Sequence, residues 1–358
     1  MKNISESAGR SSIKTLIVLV AVAALGVWSC KDTGTTTTTK GKEDFAVSKD
    51  SAIYTPPDTS TIPHDQFGDM VRYGRELMVN TAYYIGPEGI VGKYTFNKIS
   101  CSNCHADAGT RPFGFNFFSS HARYPQYRGR ENMVLDMEQR INNCVERPGN
   151  GKPVPLGSKE IVAMECYMKW LATNVPVGGR VKGDDMPEID FPERAADIQK
   201  GGAIYVAECM VCHGKDGEGM WGIDSSKGLA NLRVDSSRYL YPPLWGPFSY
   251  QNGSSPSRVI KLARFIKANM PSKKATWRKP YLTDEQCIDV AAFINDGRIH
   301  PRPQKKDKTV PDYPDTKMKA IDYEAGPYID TFSAMQHKFG PFKPIIEYHK
   351  AHNLPVIF

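Results

Sequence analysis

The chain has no block of clustered lysines and arginines, and its net charge is only +7 over 358 residues. A nucleic-acid partner is therefore not expected, and an anionic small molecule or an acidic partner is favoured only weakly. Two short cysteine clusters, at 101–105 and 209–213, lack the extra Cys or His neighbours that would complete a tetrahedral zinc shell. Residues 31–50 are low in aromatics and show no periodicity, so no packed element is expected there. Once those clusters and Cys30 are set aside, Cys144, Cys166 and Cys287 remain, an odd set that cannot all pair as disulfides.

The two clusters themselves read Cys101-Ser-Asn-Cys104-His105 and Cys209-Met-Val-Cys212-His213. CxxCH is the attachment sequence of a c-type haem. Two thiols three residues apart reach the two vinyl groups of one porphyrin, and the next residue places an imidazole under the iron. Two covalently bound haem c groups are expected, held through Cys101, Cys104, Cys209 and Cys212, with His105 and His213 as proximal iron ligands.

At the N-terminus, Lys2, Arg10 and Lys14 flank an apolar run over 15–28 that ends just before Cys30. Basic flanks and this length fit a secretory signal rather than a stable membrane span. Because a cysteine follows the run, the expectation is a lipoprotein signal over 1–29, with Cys30 acylated and holding the chain to a bacterial membrane on its periplasmic side. The bulky Trp28 keeps a simple signal peptide or an uncleaved anchor open as alternatives. Export also suits c-type haem attachment, which in bacteria takes place outside the cytoplasm, and it puts the remaining thiols in an oxidising compartment.

Behind a flexible tether at 30–55, the expected fold class is mainly α: two tandem cytochrome c domains joined by a linker, with an irregular C-terminal tail wrapping the body. The first domain spans 56–178, with helices expected over 65–84, 132–145 and 158–174. A Gly- and Pro-rich linker covers 179–192. The order then repeats over 193–299, with helices at 192–209, 256–269 and 283–294. The extension at 300–358 has many Pro, Lys and Asp and no strong helical period. Cys166 and Cys287 occupy matching places on the two closing helices and read as small core residues.

The sixth iron position decides the chemistry. In the second domain Met270, at a helix end before Pro271, is the favoured ligand; Met220 lies too close to His213 to reach the opposite face. Residues 56–178 contain no Met-Pro pair. There the best candidate is Cys144, whose thiolate would favour ferric iron. A buried structural cysteine, or ligation by Met133, Met137, Met164 or Met168, stays open on spacing alone. Arg128, Arg130, Arg140 and Arg147 surround it in sequence; arginines lower a thiol's pKa and offer forked donors to an oxyanion, or else they are simply solvated.

From Tyr73 to Tyr348 the chain resembles the bacterial thiosulfate dehydrogenase family of dihaem cytochromes c. The segments that carry this are CSNCHADAGTRP at Cys101, YPQYRGR at Tyr124, RINNCVERPGNGKP at Arg140, PPLWGPFSY at Pro242, FIKANMP at Phe265, DVAAFIN at Asp289, PRP at Pro301 and DYEAGPYIDTFSAMQHKFGPFKP at Asp322. The resemblance implies oxidation of two thiosulfates to tetrathionate, or the reverse reduction where the haem potentials favour it, at a haem ligated by His105 and Cys144. It casts Cys144, Arg128, Arg130 and Arg140 as the catalytic set, with electrons leaving through the His213/Met270 haem to an acceptor such as another cytochrome, soluble or membrane-bound. Two departures stand out. Gly253-Ser254-Ser255-Pro256 replaces a family segment with a ligating Lys or Met, and Arg147-Pro148-Gly149 replaces an R-S-M-like sequence. Two other readings share the motifs: a non-catalytic electron carrier, which has no need of a labile Cys144, and a cytochrome subunit acting on thiosulfate bound to a carrier protein.

Overall fold

Gly74 and Gly201 show why the chain folds as two copies of one plan. In each copy an opening helix crosses a closing helix at a glycine. A Cβ on Gly74 would fall 1.9 Å from the Ala163 carbonyl oxygen, and one on Gly201 would fall 2.1 Å from that of Asp289. Only a bare Cα permits that approach.

The computed structural model describes residues 52–226, 232–304 and 311–358, all within one unit, Phe45–Phe358. The leader, Cys30 and the tether up to residue 51 lie outside the described residues. Among those described, no helix is long and apolar enough to cross a membrane.

The first lobe opens with α1 (Gln66–Val79), capped by the Asp65 carboxylate, which accepts from Gly68 N at 2.8 Å. Its Val71, Leu77 and Met78 are buried. A short α2 (Thr81–Ile85) leads to the first CxxCH, followed by α3 (Ala106–Gly109), a single turn broken by left-handed Asp107 and Ala108. Next come β1 (Gln126–Arg128) and β2 (Met133–Leu135), an antiparallel pair that sets Arg128 opposite Met133. Then α4 (Met137–Glu146) and the closing α5 (Lys159–Leu171) complete the lobe. The expected helix over 132–145 thus begins late: Met133-Val134-Leu135 pairs as a strand. Asp136 then starts the helix through a capping box with Gln139.

In the second lobe α6 (Ile198–Ile204) continues through one π-helical stretch, Tyr205–Cys209, into α7 (Met210–His213). The helix expected from Pro192 starts instead after Asp197, whose carboxylate accepts from Gln199 N and Lys200 N. An antiparallel hairpin, β3 (Met220–Asp224) with β4 (Arg233–Tyr241), occupies a stretch expected to be loop. A 3-10 turn over Ser255–Ser257 precedes α8 (Val259–Asn269), and α9 (Asp284–Asn295) is capped by Thr283 with Gln286.

Among the described residues of the tail, the stretch before Ser333 holds one short 3-10 turn, Thr316–Met318. Beyond it, α10 (Ala334–Phe339) and α11 (Phe342–Ala351) bury Phe339, Phe342 and Ile345 in the core of the second lobe. Asp322 anchors the tail, accepting from buried Arg258 Nε at 2.8 Å and from Ile260 N at 2.9 Å. The linker is held as well: Arg264 donates to the Met186 and Pro187 carbonyls at 2.6 and 2.7 Å.

Candidate active site

The first CxxCH is placed by Thr81, just past the end of α1. Cys101 N donates to Thr81 Oγ1 at 3.0 Å, and Ser100 N donates to Asn103 Oδ1 at 2.8 Å, closing the 3-10 turn that presents both thiols. His105 Nδ1 hydrogen-bonds the Phe115 carbonyl. A carbonyl only accepts, so the proton sits on Nδ1 and the Nε2 lone pair is left for a metal.

Cys144 meets this group from α4. Arg140, one turn earlier on the same face, donates Nη1 to Cys144 Sγ at 3.0 Å. Burial pushes the Cys144 thiol up, but the Arg140 guanidinium, with His105 nearby, outweighs it and brings the thiol down to about 6. The side chain is therefore a thiolate at neutral pH. Arg140 in turn is held in its charged form chiefly by that thiolate. Burial pushes Cys101 up to about 11 and Cys104 up to about 12, with the charge on Cys144 adding to both. Of these three thiols, Cys144 alone is lowered.

The arginines divide. Arg128, at the end of β1, has no hydrogen-bond or ion-pair partner among the described residues. Burial lowers its pKa, Tyr124 and Glu131 raise it, and the like charges of Arg140 and Arg130 lower it. Arg130 faces the tail instead. It donates to the Gly253 carbonyl at 2.9 Å and to the Tyr313 hydroxyl at 3.3 Å, with its guanidinium over the Tyr313 and Tyr323 rings. Arg147 is bound between Glu131 at 2.9 Å and Asp312 at 3.3 Å. Tyr124, Asp312, Tyr313 and Tyr323 were not read as site residues from sequence. The tail residues among them lie far down the chain from the arginines they hold, and only the wide span of the family resemblance hinted at them.

The second CxxCH closes α7. His213 Nδ1 bonds the Pro242 carbonyl at 2.9 Å, and burial lowers this imidazole's pKa, so it is neutral with Nε2 free to ligate. Burial pushes Cys209 up to about 12, while Tyr205 donates to the Gly214 carbonyl at 2.7 Å and fixes the turn after the motif. Met270 caps α8 in extended conformation and packs, partly buried, against the second core. Met220 opens β3 immediately after Gly219, whose N–H bonds the His213 carbonyl at 2.9 Å, which keeps it beside the motif. Cys287 is fully buried and Cys166 is partly buried against the first core. Gly253-Ser254-Ser255-Pro256 forms a turn without a ligating side chain.

Among the described residues no three His, Cys, Asp or Glu side chains form a site for a bare metal ion. That donor set fits two haems. Each motif offers two thiols for thioethers and an imidazole whose Nε2 is left open, and Cys144 and Met270 are the sulfurs that would serve as further donors. Two surface clefts of about 700 and 740 Å³ border the β3–β4 hairpin and include neither Cys144 nor Arg128.

Residues 93–177 match the family described as SoxA/TsdA, cytochrome c domain, and residues 198–297 match cytochrome c. A thiosulfate dehydrogenase of Thiomonas intermedia (strain K12) is 36% identical over 242 residues, covering 66% of this chain and 71% of that protein. One of Allochromatium vinosum is 34% identical over 259 residues, covering 71% and 86%. A solved structure, thiosulfate dehydrogenase (TsdBA) from Marichromatium purpuratum in its as-isolated form, is similar with a TM-score of 0.63 at 31% identity. That match covers 77% of this chain and 54% of the other, so this chain spans about half the length of that structure. The protein therefore has two tandem cytochrome c domains and carries two covalently bound haem c groups.

Proposed function

Because this chain belongs to the thiosulfate dehydrogenase family, we propose that it joins two thiosulfates into tetrathionate at Cys144, beside a haem held by His105 and Cys144, and releases electrons through a haem held by His213 and Met270. The observation that carries this reading is the Arg140–Cys144 contact at 3.0 Å, with Arg128 unpartnered beside it. A pure electron carrier would have no use for an activated thiolate beside a free guanidinium.

When bound, the haems would supply two one-electron acceptors. Arg128 and Arg140 hold the sulfonate of the first thiosulfate through forked donors. The Cys144 thiolate forms a sulfur–sulfur bond with the sulfane sulfur, giving Cys–S–S–SO₃⁻, and two electrons leave. A second thiosulfate then attacks the sulfane sulfur of that adduct; tetrathionate departs and the Cys144 thiolate returns. Two thiosulfates thus yield one tetrathionate and two electrons, and no proton is taken up or released.

Purified holoprotein given thiosulfate and ferricyanide is expected to form one tetrathionate for every two ferricyanides reduced. Absence of thiosulfate-dependent ferricyanide reduction would overturn the proposal.

The turn at Gly253-Ser254-Ser255-Pro256 offers no rival donor, so Met270 stays on the second haem in both redox states. Magnetic circular dichroism of oxidised and reduced holoprotein checks this, and a change of axial ligand on reduction would contradict it.

A further inference from the structure

Between the two haem-binding segments runs a three-residue strap, 113–115, with unusual backbone. Phe113 and Phe115 both have positive φ, 57° and 54°. For a bulky L-residue this conformation costs roughly 1–2 kcal/mol, so two within three residues persist only because their surroundings hold them there. Those surroundings are His105 of the first haem motif on one side, and α8 with the Trp277 loop after it on the other. The Phe115 carbonyl accepts from His105 Nδ1, and its ring stacks on Phe265 of α8 at 5.0 Å and 15°. The Phe113 carbonyl accepts from Asn269 Nδ2 at 2.9 Å, and its ring packs on Trp277 at 5.0 Å. Asn269 is buried, also donates to the Phe265 carbonyl at 3.0 Å, and immediately precedes Met270.

We propose that the strap couples the two haems, tying the His105 imidazole to the end of α8 that carries Met270, so that the set of α8 fixes the potential of the first haem. The proposal rests on His105 and Met270 being axial ligands. A carbonyl that accepts from Nδ1 gives a ligating imidazole more imidazolate character, which favours ferric iron and lowers the potential. Asn269, through the Phe113 carbonyl, and Phe265, through the Phe115 ring, hold the strap and with it that carbonyl in its strained position from the far side. They are positioning residues, acting on His105 through the strap. Releasing them lets the strap relax, weakens the bond to His105 and raises the potential of the first haem. Because coupling is reciprocal, oxidation or reduction at one haem is felt at the other.

The test is a spectroelectrochemical titration of holoprotein that resolves the two haems, with methionine ligation of the second followed through its charge-transfer band. Phe265→Leu removes the stack on Phe115, and Trp277→Ala removes the ring under Phe113 from a partly exposed loop. In each, the first haem's reduced-to-oxidised ratio at a given potential is expected to rise about tenfold, ~59 mV for a one-electron couple, with the methionine band intact. Phe265→Tyr keeps the stack and is expected to titrate like the parent. If the first haem titrates unchanged in Trp277→Ala, and in Phe265→Leu where that variant folds, the coupling is wrong. Failure of the ligation reading itself shows separately, as a methionine band that survives Met270→Ala.

Discussion

Cys144→Ser is expected to keep both haems attached and to lose thiosulfate turnover by about three orders of magnitude or more. Cys101, Cys104, Cys209 and Cys212 are untouched, so the haem complement should match the parent and the mass of the holoprotein should differ only by the exchange of one sulfur for oxygen. What disappears is the one sulfur that Arg140 and His105 bring down to about 6. Serine keeps the size but has neither a thiolate to join to sulfane sulfur nor a polarisable donor for iron. The other thiols cannot substitute: Cys101 and Cys104 are committed to thioethers, and Cys166 lies on α5 against the first core. Steady-state kinetics with ferricyanide, together with a haem stain and intact mass, check this. Turnover near the parent rate would leave Cys144 as a packing residue.

Arg140→Leu is expected to lower kcat/KM about a hundredfold at pH 7 and to recover part of that loss at high pH. With Arg140 present the thiol lies near 6 and is mostly ionised at neutrality. Without it, burial is opposed only by His105, and the thiol returns toward or above its ordinary value of 9.0, where about one molecule in a hundred is ionised at pH 7. The sign follows: activity depends on the ionised form, so the acid limb of the pH profile moves to higher pH. Arg140→Lys keeps a positive charge without the forked donor, so it should shift the limb less while still raising KM for thiosulfate. A pH profile of Arg140→Leu with an unmoved acid limb would contradict this role.

How much of this was legible beforehand depends on the range of the contacts. The CxxCH pentapeptides are local, and each specifies its own chemistry. The opening and closing helices were legible too, because their buried faces follow a helical period. The start of α4 was missed although the Asp136–Gln139 capping box stands in the sequence, because Met133-Val134-Leu135 can continue a helix as readily as form a strand. The helices α10 and α11 are too short to declare themselves through periodicity; burial of Phe339, Phe342 and Ile345 against another lobe stabilises them. Cys144 could not be chosen by spacing alone and rests on family resemblance; what α4 adds is its contact with Arg140. Arg130 was grouped with Arg128 and Arg140 as a substrate donor. The structure turns it toward Tyr313, 183 residues away, a contact with no local signature. Its contacts there hold the tail, and the proposal rests on Arg128 and Arg140 as the anion donors.

The central claim is that the two haem sites differ at a single sulfur, Cys144 on the first and Met270 on the second. Electron paramagnetic resonance of oxidised holoprotein, recorded for the parent and for Cys144→Ser, tests it most directly. Two low-spin ferric signals are expected from the parent, one with the compressed g-spread of thiolate ligation. In the variant that signal alone should vanish while the methionine-ligated one persists. An identical spectrum from both proteins would show that Cys144 does not bind iron.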